Sequence, residues 1–354
     1  MDKRGESVFL EDFDKVISEK LNWEKFAGKT VLITGAAGFL PAYLVCSLLR
    51  LNDSKKLSKP VRVLGLVRNI ERANKRFHSY LDRSDFVLLE GDVTNSFNMS
   101  NESIHFIVHA ASQASPKYYG SDPVGTLSAN ILGTANLLKL ATIQPVDCFL
   151  FFSSSEIYGQ LSEAALEAHE SSCGSLDPMN VRSCYSESKR MGETMCVSWW
   201  HQYQVPIRVV RPFHTYGPGM LLNDGRVFAD FVANVVEGKD ITMNSDGSAI
   251  RAFCYLVDAT IAYFYVMLNG ENGQAYNVGN DEEVLSIANL AEKVAQIIPD
   301  KQVKVIFNKR EETAGYMKSS VNRIVPNVSK LRALGWSPNY DVDSGFRRTI
   351  LSYL

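Results

Sequence analysis

Tyr185 and Lys189 stand four residues apart in Tyr185-Ser186-Glu187-Ser188-Lys189, a spacing that puts both on one face of a helix. A phenol with an ordinary pKa of about 10 is a poor base at neutral pH, but a neighbouring ammonium stabilises its phenolate. Such a pair can take a proton from a carbinol. Upstream, Ser153-Ser154-Ser155-Glu156 supplies hydroxyls and one carboxylate, with Ser154 suited to share the hydrogen bond to the hydroxyl under attack. A second signal is Thr34-Gly35-Ala36-Ala37-Gly38-Phe39-Leu40-Pro41. Glycines between a strand and a helix let the backbone approach a pyrophosphate, whose charge sits at the helix N-terminus. Pro41 stands where that fingerprint prefers a third small residue, and proline is tolerated in a helix's first turn. The two signals together describe proton removal by Tyr185 coupled to hydride transfer to a nicotinamide dinucleotide.

These residues need a frame, and one is legible from Lys29 onward. Short apolar runs at Thr30–Thr34, Val61–Val67, Phe86–Leu89, Phe106–His109, Cys148–Ser153 and Pro206–Val210 read as strands. Helical patterns fall between them at Phe39–Leu51, Asp122–Ala141 and Tyr185–Tyr203. Fully apolar strands separated by helices predict an α/β fold, a Rossmann-type doubly wound parallel sheet. Past about Pro212 the rhythm turns irregular, with a helix at Ile287–Ile298 and a strand at Gln302–Phe307. The expected organisation is a helical extension over 1–28, a dinucleotide-binding domain over 29–211 rejoined by 251–280, and a smaller substrate domain over 212–354. Within the extension, Phe9, Leu10, Phe13, Val16, Ile17, Leu21 and Trp23 recur at amphipathic helical spacing.

The frame also indicates where a cofactor would run. The second strand ends Leu66-Val67-Arg68-Asn69, where an acid would bond the adenosine ribose; Arg68 can instead pair with a 2′-phosphate, which makes NADP possible. Asp92 and Val93 after the third strand suit an adenine contact. Ala110, Ala111 and Ser112 after the fourth are small where the backbone passes the cofactor.

Composition narrows the class. The 354 residues carry 37 basic and 39 acidic side chains, a net charge of −2, so no broad basic field exists to hold nucleic acid. The longest apolar runs, such as Ile261–Leu268, fall short of the ~20 residues that span a bilayer. Six cysteines occur without CxxC pairs, which argues against a metal site and for free thiols in the cytoplasm.

With these motifs in place, the sequence resembles the extended short-chain dehydrogenase/reductase family, in particular its nucleotide-sugar members, from about Lys29 to Pro338. The family's TGxxGF matches Thr34–Phe39, its Asn-x-x-Gly-Thr matches Asn130, Gly133 and Thr134, and its YxxxK matches Tyr185 and Lys189. Its Arg-x-Phe-Asn-x-Tyr-Gly-Pro matches Arg211 to Pro218, with His214 in place of Asn. Ala114-Ser115-Pro116 with Tyr119, Glu193–Cys196, Asn223–Val227 and Arg251-Ala252-Phe253 are most similar to the UDP-glucuronate decarboxylases; Ser186 and Ser188 depart from their Asp and Gly. The resemblance implies NAD as cofactor, held by Gly35, Ala37, Gly38, Phe39, Leu40, Asn130, Ser153, Tyr185, Lys189, Pro212 and His214 beside the positions above. It implies a nucleotide-sugar substrate met by Ser115, Tyr119, Arg226, Val227, Arg251 and Tyr276. It also implies a homodimer, with helices 122–141 and 185–203 paired into a four-helix bundle.

Relatives of this kind begin alike, with oxidation at C4, and differ in the next step. A 4-keto uronic acid is a β-keto acid and loses carbon dioxide. A 4,6-dehydratase needs an acid for the departing C6 hydroxyl, and a 4-epimerase needs room for the keto sugar to turn over. Glu156 speaks against a simple epimerase, and Ser155 against a dehydratase, whose pair resembles Asp-Glu. Catalytic roles therefore fall to Tyr185, Lys189, Ser154, Ser155, Glu156 and Arg251, with the decarboxylase reading ahead of epimerase, then dehydratase. A non-catalytic binding protein that keeps the fold is the reading from a different class; the intact Tyr185, Lys189, Ser154 and Glu156 weigh against it.

Overall fold

The computed structural model describes residues 3–95, 99, 102–162, 165–243, 245–307 and 322–354. Met1, Asp2 and 308–321, included in the expected terminal units, lie outside them. In chain order the first half contains helix α1 (Lys3–Ser18), β1 (Thr30–Thr34), α2 (Phe39–Asp53), β2 (Arg62–Val67), α3 (Ile70–Arg76), β3 (Phe86–Glu90) and β4 (Phe106–His109). Next come α4 (Lys117–Ser121), α5 (Pro123–Ala141), β5 (Cys148–Phe152), α6 (Ser183–Tyr203) and β6 (Ile207–Pro212). The remainder runs β7 (His214–Tyr216), α7 (Val227–Glu237), β8 (Ile241–Met243), β9 (Ile250–Tyr255), α8 (Leu256–Asn269) and β10 (Gln274–Val278). It ends β11 (Val284–Ser286), α9 (Ile287–Gln296), β12 (Val305–Phe307), β13 (Arg323–Ile324), α10 (Ser329–Arg332) and α11 (Val342–Leu351).

The apolar runs form strands because both of their faces are covered. In β1, Val31 and Ile33 enter a core shared with α1, α2 and α8, while Leu32 enters another shared with α5 and α6. The sheet is ordered β3-β2-β1-β4-β5-β6-β10 with every neighbour parallel. In register, Thr34 lies beside Leu66 and His109, and Phe152 beside Val210. The glycine turn, the segment after His109 and the serines after Phe152 therefore leave the sheet at one edge. Ligands of doubly wound sheets bind outside that carboxyl edge.

Past Pro212 the structure holds more order than the irregular sequence rhythm suggests. β9 is the centre of a small sheet, antiparallel to β11 and parallel to β13 and β7. β8 and β12 form a separate parallel pair. α8 is apolar along nearly its whole length and buried at every position from Leu256 to Leu268, which makes it a core helix. No helix among the described residues is long and apolar enough to cross a membrane.

The N-terminal helix packs on α2, α8 and α11. Phe13, Val16 and Ile17 join the core, whereas Leu10, counted on the apolar stripe, is 47% exposed. The fully buried Asp12 accepts hydrogen bonds from Tyr43 Oη (3.0 Å), Tyr255 Oη (2.7 Å) and Arg348 Nε and Nη2 (2.9 and 2.7 Å). One carboxylate thus ties α1 to α2, to the end of β9 and to α11.

Candidate active site

Two elements bring the catalytic candidates together. β5 ends at Phe152, and a 3₁₀ turn over Ser155–Tyr158 comes next, capped by Ser154 Oγ accepting from Glu156 N at 3.2 Å. α6 packs across this turn and presents Tyr185 and Lys189 on its inner side, both buried. The Ser154 side chain lies close enough to the Tyr185 hydroxyl to favour its ionised form. Burial pushes Tyr185 up to about 12, opposed by Ser154 and the Arg226 charge and reinforced by Glu156. Lys189 Nζ lies 5.9 Å from the Tyr185 ring centre and donates to Phe152 O at 2.7 Å. Burial pushes it down to about 7. A protonated Lys189 beside a phenolate offsets both penalties at once, so the pair suits a proton transfer.

Tyr119, from α4, stacks on Tyr185 with ring centres 5.0 Å apart and planes 15° apart. Its hydroxyl donates to Ala114 O, which also accepts from Arg226 Nη2. Ser115 Oγ donates to Asp224 O at 2.5 Å, and Arg226 Nη1 to Asp224 Oδ2 at 2.8 Å. The 114–119 and 224–226 segments are thereby locked together over the Tyr185 ring, and Val227 is the first, partly exposed residue of α7. Glu156 pairs with Arg182 Nη1 at 3.2 Å. Sequence reasoning left Arg182 out of the site, although it precedes Tyr185 by three residues and so shares its helical face.

The glycine turn meets the requirement for close backbone approach. Gly35 has φ +64°, and a Cβ there would fall 2.8 Å from Ala111 Cα. Gly38 caps α2 and Pro41 sits in its first turn, where an intrahelical N–H partner is not needed. Ala37, Phe39 and Leu40 complete the turn, partly buried. Thr34 Oγ1 accepts from Ala111 N at 3.2 Å and meets His109 Nδ1 at 3.0 Å, while His109 Nε2 meets Thr134 Oγ1 at 3.1 Å. Burial pushes His109 down to about 3, so it stays neutral and serves to hold Ala110 to Ser112 in place.

Several buried polar atoms at this edge have no protein partner among the described residues: Ser112 Oγ, Ser153 Oγ, Asn130 Oδ1 and His214 Nδ1. Unpaired buried polar atoms are costly, and here they coincide with expected cofactor positions. The amide nitrogen of Asn130, Nδ2, donates to Ser188 Oγ at 2.9 Å. Beyond Pro212, the last residue of β6, His214 stands near Arg251 and Arg226; burial, with these two charges, pushes it down to about 3. Arg251 is itself buried and donates through Nη1 to Ile250 O and Asn322 O. Arg68 is 58% exposed at its side chain and lies 4.0 Å from Asp92, whose Oδ1 accepts from Thr94 N and Oγ1. Val93 is buried against Gly133. These donors, acceptors and close backbone approaches fit a dinucleotide laid along the sheet edge.

Tyr276, expected at the substrate, and Arg211, the first residue of a matched motif, play structural parts. Tyr276 does not join the cluster: it is a strand residue buried in the core, and its hydroxyl accepts from Glu271 N at 2.8 Å. Strand alternation turns its ring into the sheet's packing rather than toward the edge. Arg211, a motif residue, clamps Glu193 in a two-point pair at 2.9 and 2.6 Å and donates to Tyr158 Oη and Glu170 O. Among the described residues no cluster of potential ligands could hold a metal ion.

Comparison with known proteins agrees with this arrangement. Residues 31–279 match the model of the NAD dependent epimerase/dehydratase family. The chain is 32% identical over 317 residues to UDP-glucuronic acid decarboxylase 6 of Arabidopsis thaliana, covering 89% of this chain and 86% of that protein. It is 30% identical to UDP-glucuronic acid decarboxylase 1 of Xenopus tropicalis, covering 99% and 80%. In fold it is similar to UDP-glucuronic acid 4-epimerase from Bacillus cereus, solved with UDP-glucuronic acid and NAD (TM-score 0.76, 22% identity, 92% and 98% covered). It is similar likewise to dTDP-glucose 4,6-dehydratase from Bacillus anthracis, solved with NAD (TM-score 0.73, 20% identity, 92% and 96% covered). The glycine turn, the Tyr185–Lys189 pair and the matched span agree: this chain belongs to the NAD-dependent epimerase/dehydratase family.

Proposed function

We propose that the protein is an NAD-dependent decarboxylase of UDP-glucuronate, yielding UDP-xylose or the 4-keto pentose that precedes it. The observation that carries the reading is a carboxylate, Glu156, set two residues from Ser154 and near enough to Tyr185 to act on its ionisation, as Ser154 does. Relatives at about 30% identity along nearly the whole chain bear decarboxylase names, which supports the same reading.

Ser154 and Tyr185 would grip the C4 hydroxyl, and Tyr185 would remove its proton with Lys189 supplying the compensating charge. NAD, when bound, would accept the C4 hydride and return it once carbon dioxide has left. The resulting 4-keto acid breaks its C5–C6 bond, and the electron pair moves into a C4–C5 enolate. Glu156 would orient a water or the ring for this loss and for reprotonation at C5. Ser155, buried beside Glu156, brings no carboxyl acid for expelling a C6 hydroxyl, which sets the site apart from a dehydratase. Ser115 and Arg226 would face the nucleotide end, and Arg251 the sugar.

We read the protein as a cytoplasmic homodimer. Val124 and Leu132 on α5 and Met191 and Val197 on α6 are apolar and exposed on two helices packed side by side, which suits a four-helix interface. All six cysteines are free, which suits a reducing compartment. Incubation with UDP-, GDP-, CDP- and dTDP-linked sugars and mass analysis of the products tests the activity. Conversion of UDP-glucuronate alone, with loss of carbon dioxide, is expected; a product of unchanged mass with inverted C4 configuration would make the protein an epimerase.

A further inference from the structure

Three arginines line the site, Arg226 by Tyr185, Arg182 by Tyr119 and Arg251 by His214, and their guanidinium groups are engaged differently. Arg226 spends both terminal nitrogens on Asp224 and Ala114. Arg251 directs Nη1 to two backbone carbonyls. Arg182 gives Nη1 to Glu156 Oε2 at 3.2 Å, and its Nε and Nη2 meet no protein acceptor among the described residues. Its guanidinium lies 5.9 Å from the centre of the Tyr119 ring, which itself stacks on Tyr185. The Arg182 side chain is 21% exposed and that of Glu156 35%, so the pair borders the site rather than the core.

A hexuronate whose C4 hydroxyl meets Tyr185 carries its carboxylate two bonds away, at C6. Glu156 lies near enough to Tyr185 to act on its ionisation, so that carboxylate would share a site with Glu156, and two carboxylates in one site cannot both stay ionised without a cation between them. A guanidinium has five N–H donors in a planar fork, enough to hold one carboxylate and receive a second.

We propose that Arg182 is the specificity-determining residue that receives the C6 carboxylate of the substrate, bridging it to Glu156. This rests on the uronate reading above. It makes the Glu156–Arg182 pair a half-filled site: the remaining N–H groups stay solvated beside a neutral hexose and become charge-assisted hydrogen bonds beside a uronate.

The test is calorimetry on the NAD-loaded full chain with UDP-glucuronate and UDP-glucose, for wild type and Arg182→Gln, with carbon dioxide release measured in parallel. The expected result is a loss of about 10- to 100-fold in UDP-glucuronate affinity, with UDP-glucose affinity changed less than about twofold. Equal losses for both ligands, or no loss for either, would overturn the proposal, as would a wild type with no preference for UDP-glucuronate. Repeating the substitution in Glu156→Gln protein separates contact from positioning. A residue that only holds Glu156 would have no further effect there, whereas one that touches the substrate still costs about tenfold. Carbon dioxide release bears on the decarboxylase reading alone: a wild type that prefers UDP-glucuronate without releasing the gas refutes that reading, while the affinity ratios still decide the role of Arg182.

Discussion

Replacing Tyr185 with Phe removes one oxygen from the centre of the site and leaves the ring that Tyr119 stacks on at 5.0 Å. Ser154 Oγ keeps the Glu156 N–H as a donor at 3.2 Å, so the 3₁₀ turn retains its cap. The stability change is therefore confined to the polar contacts of one hydroxyl, at most about 1 kcal/mol, and a hydroxyl no longer needs to be desolvated, which offsets part of it. The catalytic change is far larger. General-base loss lowers rates ~10²–10⁴-fold, a barrier increase of about 3–5 kcal/mol. Burial holds Tyr185 at about 12, so in the empty site roughly 1 molecule in 10⁵ carries the phenolate at pH 7. Wild-type hydride transfer should accordingly rise with pH across the neutral range, and the Phe variant should lose that dependence. Stopped-flow absorbance at about 340 nm reports hydride transfer to the cofactor, and calorimetry reports NAD affinity, expected within about threefold of wild type. A variant within a factor of about two of wild type in rate, or one with the same pH profile, would refute Tyr185 as the base.

Glu156→Ala should let C4 oxidation proceed and stall carbon dioxide loss, so absorbance at about 340 nm accumulates with UDP-glucuronate; unchanged turnover would point to an epimerase. NAD should bind at least about tenfold more tightly than NADP, because Arg68 already faces Asp92 at 4.0 Å; calorimetry favouring NADP tenfold would reverse that assignment. Asp12→Ala should cost about 1–3 kcal/mol in urea unfolding, since it leaves the buried Tyr43 and Tyr255 hydroxyls without their acceptor while Arg348 keeps Glu11 and Val8 O; a loss under about 0.5 kcal/mol would show that water replaces the carboxylate. His109 and His214 are held down to about 3 by burial, below the ordinary value of about 6.5. The unfolded chain alone binds their protons between those values, so this share of stability is lost as pH falls through that window. Asp258, pushed up to about 6 by burial, acts in the opposite sense between its ordinary carboxylate range and 6. His109→Gln should flatten the acid limb of a thermal-melting series, and an unaltered limb would count against the neutral buried imidazole.

Local signals were legible in the sequence and distant ones were not. β1 to β6 are continuous apolar runs set next to turns, and Tyr185 and Lys189 share a helix, so each could be read within a few residues. β10, with Gln274 and Asn277 in a five-residue strand, and β9, with Arg251 among its six residues, carry no such pattern. Their identity as strands depends on partners far along the chain. The same holds within the site. The Tyr119–Tyr185 stack and the Glu156–Arg182 pair arise only when α4, α6 and the turn after β5 meet. Tyr276 was expected at the substrate because nothing nearby reveals that β10 is paired with β6.

The Asp12 carboxylate has a consequence for how the chain is made. Its partner Arg348 lies 336 residues further on, so during vectorial synthesis the helix holding Asp12 exists long before the guanidinium that neutralises it. Until then, burying Asp12 against Tyr43 and Tyr255 would leave an ionised group without its cation. α1 therefore cannot seat fully on α2 and α8 until α11 has emerged from the ribosome. Docking of the two ends is a late, long-range step, and the dinucleotide-binding sheet must form first, with its covering helix still undocked.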